Sequence, residues 1–381
     1  MSMSPKSILC VLFISLLIGC SKSKKETYVS PTSKDVSYPK YAEGFSVRYE
    51  GSSKFVEVRY PYPGAIHGYN YLLVQKGDPI PAHPKETIVI TIPIDNLVCT
   101  STTHIPLLDY IGETDKLIGF PTTDYISSVK MRRRIDAGKV VDLGVDKVMN
   151  LEMLFSLKPS MLMGYTMNSD LGQLKKIKEL GVPVIINAEY LEKHPLGRAE
   201  WIKFMALFFN KEEAADSVFQ IIENNYLTTH ELVNSISSMP TVLSGILYGD
   251  TWFLPAGQNY AARLLKDAGC NYLWSDSESN DYLELSFESV YGKAKDAQLW
   301  IGVGAYQSLS EINAAEPRYA KFKPFKESMI YSNNVRQGAK GGSEFLELGY
   351  LRPDLILMDL VKIAHPELLP DHQLYFHQRL K

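Results

Sequence analysis

The sequence predicts an α/β protein: two similar Rossmann-like lobes joined by a long α-helix, with an N-terminal β-strand extension. Three observations carry this reading. Strand-like and helix-like stretches alternate along residues 85–209 and again along 238–381, a pattern of mainly parallel sheets with helices on both faces. One short pattern occurs twice. Asn150-Leu151-Glu152 opens an apolar helical run that leads into Met161-Leu162-Met163-Gly164, and Ser286-Phe287-Glu288 opens one that leads into Leu299-Trp300-Ile301-Gly302. Between the copies, from Arg198 to about Ser237, there is no strand signal. A second echo precedes each copy, with Leu107-Leu108 ahead of Gly112 and Leu264-Leu265 ahead of Gly269. Each lobe thus presents a glutamate on a helix N-terminus, the layout of a bilobed binder that docks onto something with both lobes.

The first residues are read as a targeting signal, not as part of the fold. Lys6 precedes an uncharged apolar run from Ile8 to Gly19, too short to span a bilayer but suited to a signal peptide over residues 1–19. The run ends in Leu17-Ile18-Gly19-Cys20, which resembles a bacterial lipobox with Cys20 as the acylated mature N-terminus. Residues 20–43, rich in Ser, Pro and Lys, cannot bury a core and read as a flexible tether. This places the folded part in the cell envelope, lipid-anchored to a membrane and facing the periplasm or the extracellular side. Cys10 leaves with the signal. Cys99 and Cys270 fall in different lobes and are expected to be buried small hydrophobes.

The folded part follows in order. Residues 44–84 alternate in Phe55-Val56-Glu57-Val58-Arg59-Tyr60 and again in Tyr71-Leu72-Leu73-Val74, and predict the β extension. Ile88-Val89-Ile90-Thr91-Ile92 is continuously apolar, as in a strand buried on both faces, and is taken to open the first lobe. Thr102 or Thr103 caps a helix closed by Gly112, Leu117–Phe120 forms a strand, and Asn150 caps the next helix. A helix follows from about Leu171 to Leu180, then strand Val182 to Ile186. Trp201 to Leu207 is helical. Asn210 with Glu213 fits a capping box that starts the interlobe helix, residues 210–237. Strand Thr241 to Leu247 begins the second lobe, and its last helix carries Pro353 in the first turn.

Several of these segments together resemble a known family. They are Thr103-His104, Ile118-Gly119, the Gly138–Gly144 turn, Asn150-Leu151-Glu152 with Leu157-Lys158-Pro159, His194-Pro195-Leu196-Gly197-Arg198-Ala199-Glu200-Trp201-Ile202, and the Ser286-Phe287-Glu288 cassette. Over about residues 85 to 381 the chain resembles the class III periplasmic substrate-binding proteins, which serve ABC importers of vitamin B12 and iron-siderophores. The resemblance implies a two-lobe clamp that takes a metal chelate in its cleft and hands it to the permease subunits. It also implies that Glu152 and Glu288 pair with permease arginines. The bland alternative is that both merely complement the helix dipole, worth about 0.3–1 kcal/mol each. The β extension departs from the minimal family pattern.

Ligands of open α/β sheets collect beyond the strand C-termini. That rule nominates Thr103, His104, Tyr165, Thr166, Trp252 and Tyr306 as cleft residues, with Arg336 as a partner for an anionic ligand. Aromatic rings suit a flat chelate, although with 23 tyrosines in the chain most of them serve packing. The leading ligand is an iron-siderophore, with a cobalamin or other corrinoid, or haem, as the alternative.

A bare zinc or manganese receptor is disfavoured because no HExxH and no paired His/Cys spacing occurs. No GxSxG and no phosphate-binding GxxxxGK[ST] is present, and the reading assigns neither catalytic residues nor a cofactor; an enzyme or sensor on the same lobes is the remote alternative. A net charge of −3 offers no electrostatic case for nucleic acid. The lipobox generates one prediction: Cys20→Ser abolishes acylation, leaving an unprocessed precursor or a soluble product. Fractionation of the variant with membranes, as for the wild type, overturns the lipobox reading.

Overall fold

Alternating side chains and a tight turn at Gly51-Ser52 fold residues 45–58 into a hairpin, the nucleus of the first sheet in a computed structural model that describes residues 36, 37 and 39–381. Cys20, the signal and most of the tether lie outside the described residues. The first sheet holds β1 (Val36–Ser37), β2 (Phe45–Glu50), β3 (Ser53–Val58), β4 (Tyr69–Gln75) and β5 (Ile88–Ile92) in that spatial order, antiparallel except for β4 and β5. The β5 segment was expected as a fully buried strand of the first lobe. It is instead the edge of the extension, buried at Ile90 and Ile92 and exposed at Thr91. A continuous apolar run does not distinguish an edge strand covered by a neighbouring lobe from a central one.

The first lobe's own sheet opens one segment later. It contains β6 (Leu97–Cys99), β7 (Leu117–Phe120), β8 (Val141–Asp142), β9 (Met161–Gly164) and β10 (Val184–Ile186), all parallel in the order β10-β9-β6-β7-β8. Its helices are α1 (His104–Tyr110), α2 (Val129–Asp136), α3 (Leu151–Ser156) and α4 (Gln173–Glu179). This strand order reverses direction between β6 and β9, where such sheets open a crevice for ligand.

Two helices lead out of this lobe. In α5 (Pro195–Ala206) ten residues are buried, including Glu200 and Trp201. The 21-residue α6 (Glu212–Leu232) buries Ala215, Phe219, Ile222, Tyr226 and Thr229, a stripe at helical spacing. The capping box expected at Asn210 does not form. Asn210 has φ of +54°, and its side chain accepts from Lys54 Nζ at 2.8 Å and exchanges hydrogen bonds with Gln75, so the helix begins two residues later.

The second lobe's parallel sheet contains β11 (Thr241–Ser244), and β12 (Ile246–Tyr248) follows after a break at Gly245. Gly245 has φ of +79°, and a Cβ there would lie 1.9 Å from the Phe253 carbonyl oxygen, so the expected single strand to Leu247 splits into two sheets. β12 pairs with β13 (Thr251–Pro255) in a hairpin. Then come α7 (Tyr260–Asp267), β14 (Asn271–Tyr272), β15 (Tyr282–Ser286), α8 (Phe287–Ala294) and β16 (Leu299–Ile301). The remainder is α9 (Leu309–Ala315), α10 (Lys323–Lys326), β17 (Ile330–Ser332), α11 (Glu344–Leu348), α12 (Pro353–Ala364) and β18 (Gln378–Arg379). The main sheet runs β14-β11-β16-β17-β18, with only β18 antiparallel, and β12-β13-β15 form a small antiparallel sheet. Buried Asp359 pins the C-terminal tail by accepting the backbone N–H groups of Tyr375, Phe376 and His377. The two echoed cassettes form as predicted, with Asn150 capping α3 through Met153 N and Ser286 capping α8 through Ser289 N.

The extension is fastened to α5 by buried carboxylates. Glu200 accepts the backbone N–H groups of Lys40, Tyr41 and Ala42, and Glu192 accepts those of Glu43 and Gly44 together with the Trp201 indole N–H. Phe45 packs edge-on against Trp201 with ring centroids 4.9 Å apart. Lys54, buried among these elements, donates to the Leu207 carbonyl and pairs with Glu212 at the start of α6. Glu200→Ala strands three N–H donors and should cost roughly 2–4 kcal/mol, read as a lower denaturant midpoint. An unchanged midpoint would show that the strap carries no stability.

Candidate functional site

Several residues that follow the strand C-termini of the first lobe are hydrogen-bonded to one another. Thr103 follows β6, Tyr165 and Thr166 follow β9, and Glu189 and Tyr190 follow β10. Thr103 Oγ1 donates to Glu189 Oε1, and the Tyr190 hydroxyl donates to the Thr166 carbonyl at 2.6 Å. Thr166 itself is buried and donates to the Asn168 carbonyl, shaping the loop to Asp170; Tyr165 donates to Asp146 at 3.4 Å. Burial raises the pKa of Glu189 above the usual carboxyl range, and pushes the Tyr190 phenol up to about 12, so both groups lean towards the neutral form.

From α5, Arg198 reaches across to the second lobe. Its Nε donates to the Glu192 carbonyl at 3.0 Å and its Nη2 to the Tyr190 carbonyl at 2.9 Å. Its guanidinium carbon lies 3.7 Å from the Tyr260 ring centroid and 4.5 Å from that of Tyr350. Tyr260 opens α7 behind its cap Asn259, and Tyr350 sits between α11 and α12. Tyr282, at the start of β15, is exposed and lies within electrostatic reach of Arg198 and Tyr350. A guanidinium is thus held by carbonyls of one lobe and boxed by rings of the other.

Other predicted cleft residues lie elsewhere. Trp252, expected in the cleft, follows the Gly249-Asp250 hairpin tip and points inward from β13 with 0% of its surface exposed. It stacks on Trp300 at 5.5 Å, packs against Tyr319 and Phe322, and donates its indole N–H to the Ser244 carbonyl, so it belongs to the core. His104 is also fully enclosed, with neither ring nitrogen partnered and its pKa lowered to about 3 by burial. It packs as a neutral ring and does not line the cleft. Tyr306 is partly buried against the core. Arg336 lies over the Tyr375 ring at 4.4 Å and pairs with Glu344 at 2.9 Å, so its charge is already matched. Cys99 and Cys270 are free and buried, both thiols pushed up by burial, Cys270 to about 12. No group of three His, Cys, Asp or Glu among the described residues is arranged to hold a metal ion.

Glu189, Tyr190, Arg198, Tyr260 and Tyr350 were missed by the sequence reading. The rule that found Thr103 and Tyr165 also reaches Glu189 and Tyr190, one strand further on. Arg198 carried its own signal: a charge in helix α5, ten of whose twelve residues are buried, needs a partner.

The profile of a family described as periplasmic binding protein matches residues 97–332. The chain belongs to the periplasmic binding protein family. An uncharacterized lipoprotein of Methanocaldococcus jannaschii is 27% identical over 97% of this chain and 94% of its own length. A periplasmic binding protein of Veillonella parvula superposes with a TM-score of 0.58 at 13% identity, covering 83% of this chain and 98% of that one. A periplasmic heme-binding protein of Vibrio cholerae does so with a TM-score of 0.54 at 15% identity, covering 69% and 99%. Like other members, this binding protein is a mixed α/β fold of two lobes.

A second contact joins the lobes of this periplasmic binding protein. Glu347 of α11, buried, accepts the backbone N–H groups of Ser127 and Ser128 at 2.6 and 2.8 Å, just ahead of α2. Beside it Gly342 lies so close that a Cβ would sit 2.0 Å from the Tyr125 carbonyl oxygen. Arg352 donates to the Tyr110 hydroxyl at 3.1 Å while paired with Asp354. Burial pushes the Glu347 carboxyl up to about 7 from 4.5, against the pull of the two N–H donors. A folded pKa raised in this way favours the folded protein fully below about 4.5 and loses that contribution as pH rises through about 7. Relative to Glu347→Gln, the wild type should therefore lose about 2–4 kcal/mol between pH 5 and 8. Parallel pH dependence of the two proteins in urea melts would contradict this.

Proposed function

We propose that the protein is an extracytoplasmic substrate-binding lipoprotein, anchored through Cys20, that binds a ferric siderophore chelate and delivers it to the permease of an ABC importer. The matched glutamates carry the delivery half of this reading. Glu152 and Glu288 occupy the first turns of α3 and α8, the two capped helices that echo each other in the sequence. Glu152 is exposed and has no ion-pair partner among the described residues. Glu288 is 78% exposed at its side chain and meets Arg318 at 3.7 Å, a solvated contact that an incoming arginine can exchange for its own. A helix dipole favours a carboxylate at either place, but does not require the same placement in both lobes.

Exposed apolar side chains accompany both carboxylates. Val145, Val148 and Met153 lie close to Glu152 in sequence, and Tyr248, at the β12–β13 hairpin, pairs with Thr251, the register partner of Ser286. An acidic residue beside exposed apolar area suits a protein surface that is dry at its centre and basic at its rim. For the cargo, the support is the packing of Tyr260 and Tyr350 on the Arg198 guanidinium where the lobes meet, with Tyr282 close by. The same ring area favours haem or a corrinoid as the second reading.

Charge reversal tests the docking half. The double substitution Glu152→Lys with Glu288→Lys is expected to stop transport in cells while leaving equilibrium ligand affinity unchanged, and each single substitution to weaken transport partially. Normal transport by the double variant would leave both glutamates as ordinary helix-cap charges. Lost ligand binding would place them in the cleft.

A further inference from the structure

Two neighbouring parts of the second lobe grip one stretch of the first. The hairpin of residues 337–343 is tied by Gly338 N to the Gly342 carbonyl at 2.8 Å and by Gly341 N to the Gly338 carbonyl at 2.9 Å. It runs directly into α11, which Ser343 caps through Leu346 N. Two of its glycines rest on the backbone of the first lobe. A Cβ on Gly342 would lie 2.0 Å from the Tyr125 carbonyl oxygen, and one on Gly338 2.7 Å from Ser127 Cα. In α11, Glu347 reaches the same stretch and accepts the Ser127 and Ser128 N–H groups. Residues 125–128 are therefore held by a backbone contact with no room for a side chain, and by one carboxyl group.

No lysine, arginine or histidine is hydrogen-bonded or ion-paired to Glu347 among the described residues. The charge that faces it from α1 is Asp109, another carboxylate, which accepts from the Ser128 and Thr114 hydroxyls. On α11 itself, Glu344 is occupied by Arg336 and the Tyr375 hydroxyl. At the head of α12, Arg352 is paired with Asp354 and donates to Tyr110. On α2, Arg132 is paired with Asp136 and Arg134 donates to the Asp115 and Leu117 carbonyls, while Lys130, Arg133 and the hairpin's Lys340 are exposed. Beside Glu347, Ser127 Oγ is sealed from solvent without a hydrogen-bond partner. A carboxylate here is buried next to a like charge. A carboxylic acid escapes that cost and can donate its proton to the Ser127 hydroxyl.

We propose that the hairpin and Glu347 form a proton-operated clasp between the lobes: with a proton on Glu347 the clasp stays shut on residues 125–128, and loss of the proton lets it part from them. Parted from the first lobe, Glu347 returns to water and to the ordinary carboxyl value of 4.5; shut, burial pushes it up to about 7. Closing therefore takes up a proton. The shut form is favoured fully below about 4.5 and loses that advantage as pH rises through about 7, by about tenfold per pH unit in between. The clasp joins the lobe that carries Glu152 to the lobe that carries Glu288, so its state sets how firmly the two docking carboxylates are held together. The clasp itself does not depend on their role.

Hydrogen exchange of the intact protein from pH 5 to 8 tests this. It is read by mass spectrometry on a peptide containing Ser127 and Ser128, and corrected for the intrinsic pH dependence of exchange. Peptides containing Leu162 and Trp300, buried strand residues of the two lobes, serve as references that exchange only through global unfolding, which urea accelerates. In wild type the Ser127 and Ser128 amides are expected to be less protected than the references and insensitive to low urea. Their protection should fall by about tenfold per pH unit between pH 5 and 7. Glu347→Gln should remove that slope. Gly342→Ala, whose methyl group does not fit against Tyr125, should expose these amides at every pH while the references stay protected. Should Glu347→Gln fail to fold, the wild-type slope and Gly342→Ala decide.

An unchanged slope in Glu347→Gln, or no slope in wild type, overturns the role of the proton. Protection at Ser127 and Ser128 that matches the references in size and urea dependence overturns the clasp, because the contact then breaks only with the whole fold. Full protection in Gly342→Ala overturns the part assigned to the hairpin.

Discussion

The guanidinium of Arg198 is hydrogen-bonded to carbonyls of one lobe and stacked on rings of the other, and it can stay there because helix α5 is buried on nearly every side. A helix buried around most of its circumference has little solvent face to turn outwards. Its few polar side chains must therefore be satisfied by specific partners. In α5 they are. Arg198 meets the second lobe, while Glu200 meets the backbone of the strap at residues 40–42. The helix serves as a fixed post between the extension, the first lobe and the second.

The extension gains a role from this arrangement. It grips the end of α5 and the start of α6 through Lys54, whose amine reaches the Leu207 carbonyl, the Asn210 side chain and Glu212. Lys40 and Tyr41 reach Glu223 further along α6. Each contact removes freedom from the connection between the lobes, as does the Glu347 contact to Ser127 and Ser128.

Charge is distributed in two distinct ways. Inside, carboxylates are spent on backbone N–H groups, and Asp359 is held well below the usual carboxylate range by its histidine and N–H donors, despite burial. On the surface, Glu152 and Glu288 remain accessible, and Arg198 at the lobe junction has no carboxylate in contact among the described residues. A buried charge satisfied within the chain serves the fold. An accessible one, on a rigid element, is available to a partner or a ligand.

The sequence alone determined the class of the fold. Apolar periodicity, the two capped cassettes at Asn150 and Ser286, the helical stretch after Arg198 and the strand-end rule are local properties, legible wherever a residue's own neighbours decide its conformation. They led to α3 and α8 with their glutamates, and to Thr103, Tyr165 and Thr166 beyond the C-terminal ends of β6 and β9. Tertiary structure decided the rest, because it depends on which distant surfaces meet. β5 joins the extension because β4 lies beside it, and β11 breaks at Gly245 because the Phe253 carbonyl occupies the space of a side chain. Trp252 turns inward because its hairpin folds back over Trp300, and His104 is enclosed although it follows a strand end. Arg198, Tyr260 and Tyr350 are 62 and 90 residues apart in their nearest and widest steps along the chain (260 − 198 and 350 − 260), and no local pattern marks them as one site. Only the packing of the two lobes brings the charge and its rings together.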